Sequence, residues 1–199
     1  MKATFKVLCL LFCLTLTVHL NAATQLTFEY KYEYVRSFAL KMDGLQNETH
    51  HIRIIDENGI VLFSEESENQ EVFQRMYNLE KLSAGKYKVI VENEQKIIIQ
   101  PIITNGRFLK IETSAQKEIL KPAIDVEEAV ILINALHFEE KPIVLTLKDK
   151  FNKVIYRKGF RVYGSLNKRL NLAQLPQTEY VFEIVTENYT VTKNINTSN

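Results

Sequence analysis

Apolar and polar positions alternate with period two through most of this chain, in runs that are short and sharply bounded. Ile52-Arg53-Ile54 alternates, Asp56-Glu57-Asn58-Gly59 interrupts, and Ile60-Val61-Leu62-Phe63 resumes. Alternation of this kind marks a strand, whose successive side chains point to opposite faces, and Asn and Gly accept the positive φ of a tight reversal. The whole pattern is then written a second time. Displaced by 93 positions, Tyr77-Asn78-Leu79-Glu80-Lys81-Leu82 becomes Leu170-Asn171-Leu172-Ala173-Gln174-Leu175, and Tyr87 becomes Tyr180. Phe38, Leu40, Ile52, Ile54, Val89 and Val91 fall on Ile131, Ile133, Leu145, Leu147, Phe182 and Ile184. Identities are sparse: Asp56/Asp149, Asn78/Asn171, Leu79/Leu172, Leu82/Leu175, Tyr87/Tyr180, Glu94/Glu187 and Ile102/Ile195. Sparse identity with conserved polarity implies a duplicated fold. Its period is too long for a solenoid unit of roughly 20–45 residues and suits one small β-sandwich.

The two copies reach the same turns by different residues. Asn152 stands where the first copy has Gly59, and Asn tolerates the left-handed region better than other residues with a side chain. Thr178 replaces Gly85, while Pro176 enters two residues earlier. Leu82 with Tyr87, and Leu175 with Tyr180, have the spacing of a structural corner in which a core Leu precedes a Tyr that folds its hydroxyl back onto the backbone. The stretch from Leu175 to Ile184 resembles the corner of a fibronectin type III domain, although the chain has no Trp. The first copy, with Asp56-Glu57-Asn58-Gly59 and then Leu79 to Val89, resembles the small secreted sandwiches of Bacteroidetes-type bacteria. Among these are the carboxy-terminal sorting domains of the gliding-associated (type IX) secretion system. The resemblance implies an all-β fold: two tandem immunoglobulin- or fibronectin III-like β-sandwiches.

Residues 1–23 read as a cleaved signal peptide. Lys2 and Lys6 precede an apolar run from Val7 to Val18, and Ala22-Ala23 offers small residues for cleavage. Cys9 and Cys13 both lie in it, so the exported chain would rely on burial without disulfides. Expected boundaries are 24–113 for the first sandwich, 114–126 for a linker with a helical turn at Glu118-Ile119-Leu120, and 127–199 for the second sandwich. The stripe Leu26, Phe28, Tyr30, Tyr32, Tyr34 reads as an opening strand from Leu26 to Tyr34, facing either a core or a glycan.

Charge separates the copies. Removing Lys2 and Lys6 takes 25 basic residues to 23 against 24 acidic, a balance that implies neither nucleic acid nor an anionic membrane as partner. Locally the balance breaks. Residues 55–76 carry Asp56, Glu57, Glu65, Glu66, Glu68 and Glu71 against Arg75. Residues 148–169 carry Lys148, Lys150, Lys153, Arg157, Lys158, Arg161, Lys168 and Arg169 against Asp149. The first set is a candidate surface for a cationic partner and the second for an anionic one. Solvated faces that drifted apart would look the same; the sharper expectation is that the two hairpins complement each other, within a chain or head to tail between chains.

Catalytic signatures are missing from the sequence. The six glycines are isolated, and no phosphate loop or Gly-x-Ser-x-Gly elbow can be drawn. His50, His51 and His137 lack the spacing of a zinc hydrolase, and no calcium loop is present. A carboxylate pair depends on separation in space, which sequence does not reveal. The expectation is therefore a non-enzyme without cofactor or metal. It is secreted, periplasmic or at the cell surface, has no transmembrane anchor, and binds a protein or polysaccharide of the cell envelope or itself. Adhesion, scaffolding and envelope assembly fit this description. Alternatives are a sorting role for the second copy, a glycan-binding module and a two-domain periplasmic chaperone.

Overall fold

A computed structural model describes residues 25–30, 36–45, 48–67, 71–137 and 142–197. The expected signal peptide, Tyr32, Tyr34 and Glu68 lie outside the described residues. The first unit runs through β1 (Gln25–Tyr30), β2 (Ser37–Asp43), β3 (His50–Asp56), β4 (Val61–Ser67), β5 (Val72–Asn78), β6 (Gly85–Glu92), β7 (Lys96–Thr104) and β8 (Leu109–Ile111). A 3-10 turn, Thr113–Ala115, and β9 (Lys117–Leu120) follow. One sheet has the order β1-β2-β5; the other has the order β4-β3-β6-β7-β8, with β9 also on β7.

The second unit repeats the plan with β10 (Ala123–Glu127), β11 (Val130–His137), β12 (Ile143–Asp149), β13 (Val154–Phe160), β14 (Gly164–Asn171), β15 (Glu179–Val185) and β16 (Thr190–Asn196). Its sheets are β10-β11-β14 and β13-β12-β15-β16. Three antiparallel strands face four, the first unit adding β8 and β9 to its larger sheet, and the chain crosses between sheets from β2 to β3 and from β4 to β5. That is a Greek-key sandwich, built twice. β3 and β12, and likewise β4 and β13, have bounds exactly one repeat length of 93 residues apart.

Each core forms where the inward positions of both sheets meet. Phe38, Leu40, Met42, Ile52, Ile54, Val89 and Val91 are buried in the first. Ile131, Ile133, Leu145, Leu147, Phe182 and Ile184 are buried in the second. Each contributes about 1.5–3 kcal/mol relative to exposure, and no disulfide is needed to explain closure. Leu26 and Phe28 pack on the first core, with the Phe28 ring 6.0 Å from Phe38, so this part of the aromatic stripe serves packing.

The expected linker at 114–126 is largely strand instead. β9 pairs with Lys96 to Ile99, and β10 pairs with Val130 to Asn134. Lys117-Glu118-Ile119-Leu120 has helix-forming composition, but an open edge of β7 offers it backbone partners, and pairing context overrides propensity. β8 and β9 are separate strands because of Pro101. Its carbonyl accepts the N–H of Glu112 (3.0 Å), so the side of β7 that faces them lacks a donor at this residue. Residues 109–111 pair with β7 as β8, which joins this stretch to the first sandwich.

Candidate binding surface

The repeated identities are mostly turn hardware. Asp56 accepts the backbone N–H groups of Asn58 (2.9 Å) and Ile60 (2.8 Å), and Asp149 accepts those of Phe151 and Lys153 (both 2.9 Å). Gly59 has φ +83° and Asn152 has φ +63°, the left-handed conformation expected of both. The Asn78 side chain accepts the Glu80 N–H, and the Asn171 side chain accepts the Ala173 N–H, each at 2.8 Å. Leu79 and Leu172 are buried, and Leu82 and Leu175 pack against the cores. The Tyr87 hydroxyl donates to the Ser83 carbonyl (2.9 Å), and that of Tyr180 donates to the Pro176 carbonyl (2.7 Å).

With the frame fixed so similarly, the charged positions become comparable one by one. β4 and β13 are edge strands, each paired on one side only among the described residues. Glu65 lies opposite Ile52 and Arg75 opposite Leu40, so both sit on the inward side of their sheets, where the sandwich opens at its edge. They pair with each other, Arg75 Nε to Glu65 Oε2 at 3.2 Å, and Glu65 also accepts the Tyr77 hydroxyl. Burial and the neighbouring carboxylate push the Tyr77 phenol well above its ordinary pKa, so it stays a donor. Glu66, on the outer side, meets the His51 ring at 3.0 Å. Asp56 is committed to its turn, while Glu57 and Glu71 are exposed.

One repeat later, Lys158 and Lys168 occupy the places of Glu65 and Arg75. Lys158 lies opposite buried Leu145, and Lys168 opposite buried Ile133. Their ammonium groups sit 5.4 and 5.1 Å from the centre of one ring, Phe160. An ion pair in the first sandwich has become two cations beside one aromatic ring, and no carboxylate among the described residues pairs with either. Lys148 is neutralised by Glu183 at 2.6 Å, and Lys150 lies over the Phe151 ring at 5.2 Å. Lys153 lies in the turn before β13, Arg157 and Arg169 on the strands beside Lys158 and Lys168, and Arg161 just after β13, and none has an ion-pair partner among the described residues. The eight basic residues therefore reduce to seven available ones, with a focus at Lys158, Phe160 and Lys168. Phe160 carries no charge and falls opposite Ser67 in the repeat, so charge counting could not single it out.

A second polar cluster escaped the sequence reading altogether. His50 is buried while His51 is exposed, as neighbours on a strand should be. Asn93 binds Glu48 (2.6 Å) and caps the turn into β7 by accepting the N–H groups of Gln95 and Lys96. Lys121 donates to the Asn93 carbonyl at 2.7 Å. These residues follow no period, and only the fold brings them together. No group of three or more His, Cys, Asp or Glu suited to a metal is found among the described residues. No helix there is long and apolar enough to cross a membrane.

No curated protein matches the chain. Among solved structures, the BSP domain of a biofilm associated protein aligns at 13% identity over 87% of this chain and 28% of its own, with TM-score 0.28. Chicken CNTN1 FN1–FN3 domains align at 11% identity over 83% of this chain and 61% of theirs, with TM-score 0.29. A two-domain fibronectin type III segment of chicken tenascin aligns at 10% identity over 86% and 97%, with TM-score 0.27. The chain thus spans 28% and 61% of the first two structures. A family model, the secretion system C-terminal sorting domain, matches residues 35–105. That range is the body of the first sandwich, β2 through β7, and not the second sandwich, to which the alternative expectation gave the sorting role. The first sandwich is accordingly similar to the C-terminal sorting domains of a secretion system, and the protein is a secreted or cell-surface one.

Proposed function

We propose that this is an exported, non-catalytic binding protein whose second sandwich takes an acidic, carboxylate-bearing partner at the cell envelope on the edge formed by β13 and β14. The observation that carries the reading is the replacement of the Glu65–Arg75 ion pair by Lys158 and Lys168 over a single ring. Two ammonium groups near one ring and without a carboxylate partner make the spot locally positive, and an incoming anion neutralises it. Arg157, Lys153 and Arg161 extend the field around it and would speed encounter with a negative partner. The sorting-domain similarity of the first sandwich supports export of the whole chain.

Poly-glutamate serves as a probe for carboxylate recognition. Lys158→Glu rebuilds with Lys168 the pair that the first sandwich contains. It should weaken poly-glutamate binding at least tenfold, measured by titration calorimetry, while urea stability is unchanged or rises by up to about 1 kcal/mol, the range of an exposed pair. Equal affinity in Lys158→Glu and the natural protein would remove this function from the site.

A further inference from the structure

We infer that the acidic partner of the basic edge is the acidic edge of a second copy of this chain, joined strand to strand between β4 of one copy and β13 of the next. The inference rests on the binding reading above and names its partner.

Both strands present an unpaired backbone edge among the described residues, and each carries a built-in stop at the same place. The β3–β4 register shifts between Ile54 and Ile55, leaving Leu62 as the extra residue, and the β12–β13 register shifts between Leu147 and Lys148, leaving Ile155. Such bulges blunt an edge against pairing. Beyond them run two regular segments of five residues, Phe63-Ser64-Glu65-Glu66-Ser67 and Tyr156-Arg157-Lys158-Gly159-Phe160. Laid antiparallel over their full length, they set Glu65 opposite Lys158, Glu66 opposite Arg157 and Phe63 opposite Phe160. Directly opposite residues in an antiparallel pair share a face, so the inward positions of both strands, Phe63 and Glu65 with Phe160 and Lys158, stay on one side. A parallel pairing of the same segments places Glu66 opposite Gly159 and forfeits one charge pair.

Surface chemistry fits the same register. Phe63 is 37% exposed, unusual for an aromatic residue beside a core, and would be covered by Phe160. Glu66 has only the His51 ring within ion-pair reach among the described residues, and Arg157 has no such partner. The two edges differ, so the contact is heterologous: each joined copy leaves one acidic and one basic edge free, and association is open-ended.

Sedimentation velocity of the exported protein tests this. The mean sedimentation coefficient should rise with protein concentration at 50 mM salt and fall toward the monomer at 0.5 M, where screening acts within a few ångströms. Glu66→Arg alone and Arg157→Glu alone should each weaken association at least tenfold. An equimolar mixture of the two variants should restore it, because every junction between unlike copies regains one arginine and one glutamate. Singles that associate like the natural protein, or a mixture that stays monomeric while both variants keep the natural circular dichroism, would overturn the inference. A monomer at all concentrations that still binds poly-glutamate overturns self-association and leaves the binding reading standing. Loss of both removes the two together.

Discussion

His50 shows how a buried polar group settles its own protonation. It is 2% exposed, with Nδ1 3.3 Å from the Glu48 carbonyl and Nε2 3.4 Å from the Asn93 amide nitrogen. The Asn93 oxygen accepts two backbone N–H groups, which fixes the amide so that its NH2 points at His50. Nδ1 therefore carries the hydrogen and Nε2 accepts; a proton on Nε2 would face another N–H. Desolvation lowers the His50 pKa below 6.5, outweighing the upward pull of the Glu48 backbone and carboxylate, while Lys96 and His51 add to the lowering. A depressed folded-state pKa means that the unfolded chain binds the proton more readily. The stability tied to neutral His50 is present above pH 6.5 and declines as pH falls below it, ceasing to fall further once the folded-state pKa is passed. His50→Gln, which keeps an acceptor and cannot titrate, should flatten the urea-midpoint profile between pH 6.5 and about 5, above the range where carboxylates dominate. An unchanged slope in that variant would place the acid sensitivity elsewhere.

At the scale of elements, the corner between the fifth and sixth strands is the unit both copies keep. Each hydroxyl spans four residues to a carbonyl, Tyr87 to Ser83 and Tyr180 to Pro176, and Leu82 or Leu175 plugs the loop from inside. Tyr87→Phe and Tyr180→Phe each remove one bond and leave a carbonyl unpaired, a loss of about 1–2 kcal/mol apiece. The two sites share no partner, so the double variant should lose the sum to within about 0.5 kcal/mol in urea unfolding. A midpoint unmoved by either would make the tyrosines mere filler. These corners are legible in the sequence because they depend on local spacing, as do the Asp56 and Asp149 turns and the exchange of Gly59 for Asn152. β9 is not legible: four residues of helix-forming composition become a strand because β7 has an edge to offer. The repeat likewise points to Lys158 and Lys168 as counterparts of Glu65 and Arg75. It does not show that both reach the ring of Phe160, since that depends on which side of each sheet the strands present.

For the molecule as a whole, the decisive element is the two-residue connection between β9 and β10. Lys121 and Pro122 are all that separate a strand of the first sandwich from a strand of the second. Pro122 restricts its own φ, and Lys121 is pinned at both ends. Its backbone N–H donates to the Gln95 carbonyl, its ammonium donates to the Asn93 carbonyl, and the same ammonium pairs with Glu92 Oε1, each at 2.7 Å. Glu92 also holds Arg53 at 2.5 Å, so its carboxylate is shared between two cations. With a side chain only 12% exposed, Lys121 loses little of this to solvent. Lys121→Met keeps the length and the backbone bond but removes the charge, leaving the Asn93 carbonyl without this donor. The expected result is faster amide exchange across Glu118 to Leu120 and easier proteolysis at 121–123, with exchange in β11, β12 and β15 unchanged. Hydrogen exchange read by mass spectrometry separates these segments. If β9 exchanges no faster in Lys121→Met, the backbone bonds to β7 alone hold the connection. If it does, the charge on one lysine sets how firmly the two sandwiches are joined, and in a head-to-tail assembly that joint would set the angle from each copy to the next.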